Sequence, residues 1–268
     1  MARFTISERV SPLVRRILAP NPSPWTLEGT NTWLVGLRAP IVIDPGPAIE
    51  EHLDAILEAA GEVRAVLLTH THRDHAEGAM AFAAKARAPL AVVQPSVNSH
   101  LCADADALVD GQQIVADGAT LTVIATPGHA SDHAAFLLME EHALFTGDHV
   151  LGRGTTVVVH PDGDMRAYLD SLDRVIALAP TRIYPGHGPI IESPAETLAF
   201  YRRHRLEREA TILEALDATP KHLEMILGDV YADVAPQVLP AARLSLAAHL
   251  EKLVADGLVV EHEGTWRR

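Results

Sequence analysis

The chain has one cysteine among 268 residues, only 4% aromatic side chains, and 22 Lys and Arg against 35 Asp and Glu. Each scarcity removes a class of protein. A lone Cys102 cannot close an internal disulfide, so the sequence does not read as a stapled secreted domain, and the expected compartment is the reducing cytoplasm. Cys102 itself reads as a small buried hydrophobe. The formal charge of −13 offers polyanions and acidic membranes no broadly attractive field. No stretch approaches the roughly 20 apolar residues that cross a bilayer, so no spanning segment and no membrane partner are expected. The opening MARFTISERVSPLVRRILAP carries Arg3, Arg9, Arg15 and Arg16 without the continuous apolar core of a secretory signal, and reads as opening strands.

What the chain has is apolar residues, 48% of it, enough for one large layered core with a small appended domain. It also has histidine in an unusual place. After Val66-Leu67-Leu68 comes Thr69-His70-Thr71-His72-Arg73-Asp74-His75, which sets three imidazoles and a carboxylate close together. Imidazole nitrogen and carboxylate oxygen are donors that zinc accepts at about 2.0 to 2.2 Å, and alternate residues of an extended turn project to one side. His70 and His72 can therefore share an ion. Asp74 and His75 fall on the next turn of backbone and suit a second ion roughly 3.5 to 4 Å away.

Four other strand-length apolar runs end in turns that carry a ligand type. Ile41-Val42-Ile43 stops at Asp44-Pro45-Gly46, Leu121 to Ala125 at Pro127-Gly128-His129, Ala143-Leu144-Phe145 at Gly147-Asp148, and Arg182-Ile183-Tyr184 at Pro185-Gly186-His187. In a layered α/β sheet, carboxyl-end turns gather along one edge, where ligands bind. Helical patterns lie between: Ala48 to Ala60 stopped by Gly61, an alanine-rich stretch from His75 to Ala86, and Met165 to Ile176 behind the cap Asp164. Asp117-Gly118 suits a hairpin turn. From about Ser193 the pattern predicts a long helix to Leu216. Two shorter helices follow, over Lys221–Tyr231 and Leu239–Ala255, and a terminal hairpin around Gly264. Three helices and a hairpin make a winged-helix pattern. Hairpins mixed with helices predict an α/β fold with mixed sheets.

Through Asp44, His70 to His75, His129, Asp148 and His187, the chain resembles the metallo-β-lactamase-fold hydrolases. The resemblance implies an αβ/βα four-layer sandwich over residues 1–195 and a small C-terminal winged-helix-like domain over 196–268. It implies that His70, His72 and His129 hold one zinc, that Asp74, His75 and His187 hold another, and that Asp148 bridges them. Asp44 would orient a ligand of the cluster through hydrogen bonds. Within the superfamily, Gly29 to Gly36, Thr146 to Gly152 with Gly154-Thr155-Thr156, and the tail beyond Ser193 resemble the β-lactamase-like protein 2 group. That group pairs the sandwich with a winged-helix-like domain, and some of its members act on single-stranded RNA.

The implied chemistry is hydrolysis by a zinc-held hydroxide at a dinuclear site, with Asp74 and Asp148 as catalytic carboxylates. Ester, thioester, lactone and phosphodiester substrates all suit that core. Iron or manganese stay open as the metal. A mononuclear iron persulfide dioxygenase of the same fold and a weak promiscuous β-lactamase are the alternatives. Diiron flavoproteins carry Glu at the position of His72, and classical antibiotic hydrolases carry Cys or Ser in place of the bridging acid. Around the rim, Asn31 donates to substrate or bonds its own backbone, and His133 is a pocket donor or a satisfied structural group. His149 faces the pocket or points away. His204, Arg205 and Arg208 clamp an anion or form a solvated helix face. The expected partner is a small-molecule or short anionic substrate. RNA is compatible but disfavoured by charge, and a homodimer is compatible. His52, His100, His142, His160, His222, His249 and His262 lack ligand spacing and read as surface or local structure.

Overall fold

In the computed structural model, residues 7–93, 102 and 104–268 are described. The first sheet runs in chain order through β1 (Glu8–Arg9), β2 (Val14–Leu18), β3 (Asn31–Val35), β4 (Ile41–Ile43), β5 (Ala65–Leu67), β6 (Leu90–Val93) and β7 (Asp106–Leu108). It is antiparallel up to β4 and parallel from β4 to β7. β3, β4 and β5 are buried at every position, which explains why they read as continuous apolar runs rather than alternating ones. The second sheet has the order β12-β11-β10-β9-β8, made from β8 (Gln113–Ala116), β9 (Ala119–Ala125), β10 (Ala134–Leu138), β11 (Ala143–Gly147) and β12 (Arg182–Pro185). Gly118, at a φ of 78°, turns the β8–β9 hairpin as its sequence predicts.

Strand alternation divides the core into layers. Trp33, Ile41, Ile43 and Leu67 point inward and meet Phe136, Phe145 and Tyr184 of the second sheet. Trp33 and Phe145 pack edge-on at 5.9 Å, and Phe145 stacks on Tyr184 at 4.9 Å. Leu34, Val42 and Val66 point outward against Ile56 of α1 (Glu50–Ala60) and Phe82 of α3 (Ala79–Ala86). On the far side, Ala135, Leu144 and Ile183 meet Tyr168 and Leu172 of α4 (Met165–Leu178) and Tyr201 of α5 (Pro194–Ala215). Helix, sheet, sheet and helix make the αβ/βα sandwich. Asp164 caps α4 by accepting from the Ala167 amide at 2.8 Å.

Two local expectations are corrected. The single helix read from His75 to Ala86 is two, because α2 (Arg73–Ala76) and α3 are separated at Glu77-Gly78. The Gly78 amide donates to Gly46 O at 3.1 Å, and a Cβ on Gly78 would lie 3.0 Å from Pro47 O. The close approach of the Asp44 turn therefore sets the break. In the tail, Lys221–His222 is a short strand, β13, rather than a helix start. It pairs with β15 (Thr265–Arg267), which pairs with β14 (Val260–His262), so the wing has three strands.

The tail has its own core, where Ile212 and Leu216 of α5 meet Ile226 of α6 (Leu223–Val230) and Leu246 and Leu250 of α7 (Leu239–Ala255). α5 is shared between the two units: Leu198 and Tyr201 belong to the sandwich core and Ile212 and Leu216 to the tail core. The expected boundary at 195/196 lies in its first turn. Ala248 of α7 also enters the sandwich core. Among the described residues, no helix is long and apolar enough to cross a membrane.

Candidate metal centre

The turns after β4, β5, β9, β11 and β12 carry Asp44, His70 to His75, His129, Asp148 and His187. They converge on two groups of ligand atoms, His70/His72/His129 and Asp74/His75/Asp148/His187, each lying within 4.8 Å of one another. In the first group, His72 Nδ1 sits 3.0 Å from His70 Nε2 and 3.0 Å from His129 Nε2. The Thr69 hydroxyl donates to Asp44 Oδ2 at 2.7 Å, so its oxygen accepts from His70 Nδ1 at 3.0 Å. His129 Nδ1 donates to Val157 O at 2.7 Å. Both Nε2 atoms are then bare lone pairs aimed at His72 Nδ1. Three imidazole nitrogens at that spacing have too few protons among them to satisfy one another, and a cation is the species that fits.

The second group follows the same plan with carboxylates added. His75 Nδ1 donates to Asp44 Oδ2 at 2.9 Å and His187 Nδ1 to Gly29 O at 3.2 Å. Their Nε2 atoms face each other at 3.2 Å. Asp74 Oδ2 and Asp148 Oδ2 lie 3.1 and 3.3 Å from His187 Nε2, and Asp148 Oδ1 lies 3.4 Å from His75 Nε2. Asp148 Oδ2 is also 3.8 Å from His129 Nε2, so this carboxylate faces both groups. Gly186 permits the crowding, since a Cβ there would lie 2.6 Å from Asp148 Oδ1 and 2.8 Å from His75 Cε1.

The two groups differ in charge. Burial, reinforced by neighbouring imidazoles, pushes His70 well below the usual histidine pKa, and burial takes His129 down to about 4. Burial also opposes the charged forms of His75 and His187. There the carboxylates outweigh it, holding His75 well above the usual range and raising His187 to about 9. Asp148 is held well below the carboxylate range because His187 and His75 outweigh its burial. Near pH 7, His70 and His129 are thus neutral, while His75 and His187 are ion-paired with Asp148.

Asp44 sits with φ at 51° and spends its carboxylate on the Thr69 amide at 2.8 Å, the Thr69 hydroxyl and His75. It touches both groups without being a ligand atom of either. Asp162, which the sequence reading missed, lies with Oδ2 3.6 Å from His72 Nε2 and accepts from the Ser131 amide and hydroxyl at 3.1 and 2.6 Å. It lies in a Pro-Asp-Gly turn, and nothing in that turn's sequence links it to position 72.

The expected rim residues are placed differently. Asn31 is fully buried, and its amide donates to Pro185 O at 3.0 Å and Gly188 O at 2.9 Å, so its donors hold the His187 turn instead of meeting substrate. His133 is 1% exposed, with Nδ1 against Thr126 Oγ1 at 2.8 Å and its ring 5.1 Å behind His70. His149 is fully buried against Tyr168. Arg205 is 2% exposed, donates to Thr156 O and stacks over Tyr168. Arg208 donates to Val230 O at 2.7 Å and stacks 4.1 Å over Tyr231. His204 lies 5.8 Å from the Phe200 ring, and burial drops its pKa to about 4. Arg205 and Arg208 are neither a free anion clamp nor a solvated face, because α5 is packed between two cores and planar guanidinium groups stack well on buried tyrosines, while His204 is half-buried beside Phe200. His52 and His249 are fully buried rather than superficial, and His100 lies outside the described residues.

Comparison with known proteins finds likenesses for both units of the chain. Residues 25–187 match the metallo-beta-lactamase superfamily, and residues 223–266 match a beta-lactamase associated winged helix domain. A Caenorhabditis elegans protein named beta-lactamase-like protein 2 homolog is 37% identical over 263 residues, covering 94% of this chain and 88% of its own length. An Aspergillus chevalieri protein named atrochrysone carboxyl ACP thioesterase is 38% identical over 219 residues, covering 78% of this chain and 67% of its own. The crystal structure of a beta-lactamase domain protein from Burkholderia ambifaria superimposes with a TM-score of 0.82 at 21% identity, covering 100% of this chain and 95% of that one.

Proposed function

The chain belongs to the metallo-beta-lactamase superfamily and is a metal-dependent hydrolase, and from that premise we propose that it holds two zinc ions and cleaves a thioester or related acyl bond. The observation that carries the reading is the position of Asp148 between two ligand groups whose remaining ring nitrogens are already committed to backbone, Thr69, Asp44 or Asp162. In this reading His70, His72 and His129 would hold one ion and Asp74, His75 and His187 the other, with Asp148, which faces both groups, as the shared ligand. Bound ions of this kind lower the pKa of water towards about 7 and polarise a substrate oxygen.

The protein's own groups do the rest. The side chains of His72 and Asp74 are 35% and 31% exposed, against 12% for Asp148 and 1% for His187, so the centre opens between His72 and Asp74. A substrate carbonyl enters there and meets Asp74, the carboxylate open to solvent and placed to take the proton of an attacking water. Ions held by the two groups would supply fixed positive charge behind it, which stabilises developing negative charge better than mobile water does.

The acyl reading is favoured over a phosphodiester by charge. Arg205 and Arg208 are spent on Thr156 and Val230, while Arg73 and Arg153 pair with Glu77 and Glu28. A net charge of −13 disfavours a polyanion, and a relative is named as a thioesterase. The test is elemental analysis of protein purified without chelator, followed by thioester, ester, lactone, lactam and bis-nitrophenyl phosphate assays. Two zinc ions per chain with thioester turnover is the expected result. One iron per chain with oxygen consumption on a persulfide, or turnover of the phosphodiester alone, overturns it.

A further inference from the structure

The segment from Asp148 to Thr156 carries the shared carboxylate, yet it is neither strand nor helix over most of its length. Its backbone is held from outside the cleft. Tyr168 of α4 donates its hydroxyl to His149 O at 2.9 Å, and Tyr201 of α5 accepts from the Leu151 amide at 2.9 Å. Thr156 closes the segment on itself: its hydroxyl donates to Asp148 O at 2.5 Å and its oxygen lies 3.3 Å from His129 Nδ1. Thr156 O in turn accepts from Arg205 Nη2. A guanidinium 2% exposed, stacked 5.1 Å over Tyr168, is thus two hydrogen bonds from one ligand of each group.

Burying an arginine without a carboxylate partner is costly unless its donors are used, so an arginine kept here needs a return. On the same helix Arg202 pairs with Asp173 and Arg203 with Glu207, whereas Arg205 meets no carboxylate among the described residues. We propose that Arg205 is a positioning residue of the metal centre, acting through Thr156 to fix the Asp148 backbone and the His129 ring. α5 also binds the tail, since Arg208, one turn further, holds Val230 O and Tyr231. The same helix therefore ties the winged-helix unit to the carboxylate between the two ligand groups.

The inference rests on the two-ion reading, and the measurements separate the two. Zn²⁺ affinity by chelator competition and the visible spectrum of the Co²⁺-loaded full chain are compared for wild type, Arg205→Met, Arg205→Lys, Thr156→Val, the double variant Arg205→Met/Thr156→Val and, as a surface control on the same helix, Arg203→Met. Orienting groups beyond the ligands typically contribute about 10–100-fold in metal affinity. Arg205→Met and Thr156→Val are each expected to weaken one or both ions by about that factor and to shift the Co²⁺ bands. Arg205→Lys should recover part of the loss, and Arg203→Met should match wild type. The double variant should be no worse than the weaker single, because both act on one path. Folded Arg205→Met with wild-type affinity and spectrum overturns the proposal, as does full additivity of the two changes. Should Arg205→Met fail to fold, unchanged affinity in Thr156→Val overturns it, while a wild type that binds no second ion sinks the two-ion reading instead.

Discussion

The two ligand groups share Asp148 but solve opposite electrostatic problems. The His70/His72/His129 group is made of three imidazoles, of which burial drives His70 and His129 towards the neutral form. The Asp74/His75/Asp148/His187 group pairs imidazolium with carboxylate and keeps its protons. Bare imidazole lone pairs such as those of His70 and His129 lack a positive charge to face; an ion-paired cluster already contains one. The lesson is that an incoming cation fills a gap in the first group and displaces protons in the second.

The sharpest way to break this comparison is to remove what the groups share. Asp148→Ala should lower hydrolysis by well over about 100-fold, beyond the 10–100-fold typical of outer groups, and reduce zinc content. A folded variant with wild-type turnover would remove the basis of the reading. His72→Ala should likewise abolish hydrolysis and deplete the first ion while leaving the second group's donors intact.

Proton content gives the next contrast. His187 titrates at about 9, so below that pH a proton competes with the second ion and its affinity falls as pH drops. His129 stays neutral down to about 4, so the first group keeps its ion over most of that range. Zinc content measured from pH 9 to pH 5.5 should fall from two ions to one, with proton release on loading the second seen by calorimetry in two buffers. Simultaneous loss of both ions would show that the groups do not differ in this way.

Smaller effects come from the supports. Asn31→Ala frees the turn of His187 and should weaken the second ion by about 10-fold, sparing the first. Asp162→Ala removes the carboxylate beside His72 and should do the reverse, by about the same or less. Competition with a metallochromic chelator measures both, and a crossed pattern would reverse the assignment of supports to groups.

The layered fold and the ligand atoms were legible because both follow from short-range rules. Apolar runs such as Ile41–Ile43 and Ala143–Phe145 are strands buried on both faces, and Pro or Gly stops place the next residue at the sheet edge. What stayed hidden was set by neighbours distant in sequence. Gly78 breaks a helix because Gly46 approaches it, and Lys221–His222 becomes a strand because Trp266 and Thr265 supply its partner. Asn31, Arg205 and Arg208 read as rim residues because polar side chains default to solvent. Only the packed position of α5 and the turn at Pro185 show that their donors face inward. Asp162 had no signal at all, since its relation to His72 exists only in three dimensions.

The missing side chain at Gly186 has a last consequence. The second ligand group packs as closely as it does because position 186 contributes no bulk between Asp148 and His75. One added methyl would wedge them apart with every donor still in place. Under the two-ion reading, Gly186→Ala is therefore the smallest edit that would cost the second group its ion while leaving His70, His72 and His129 untouched, and counting bound metal in that variant reads the outcome directly.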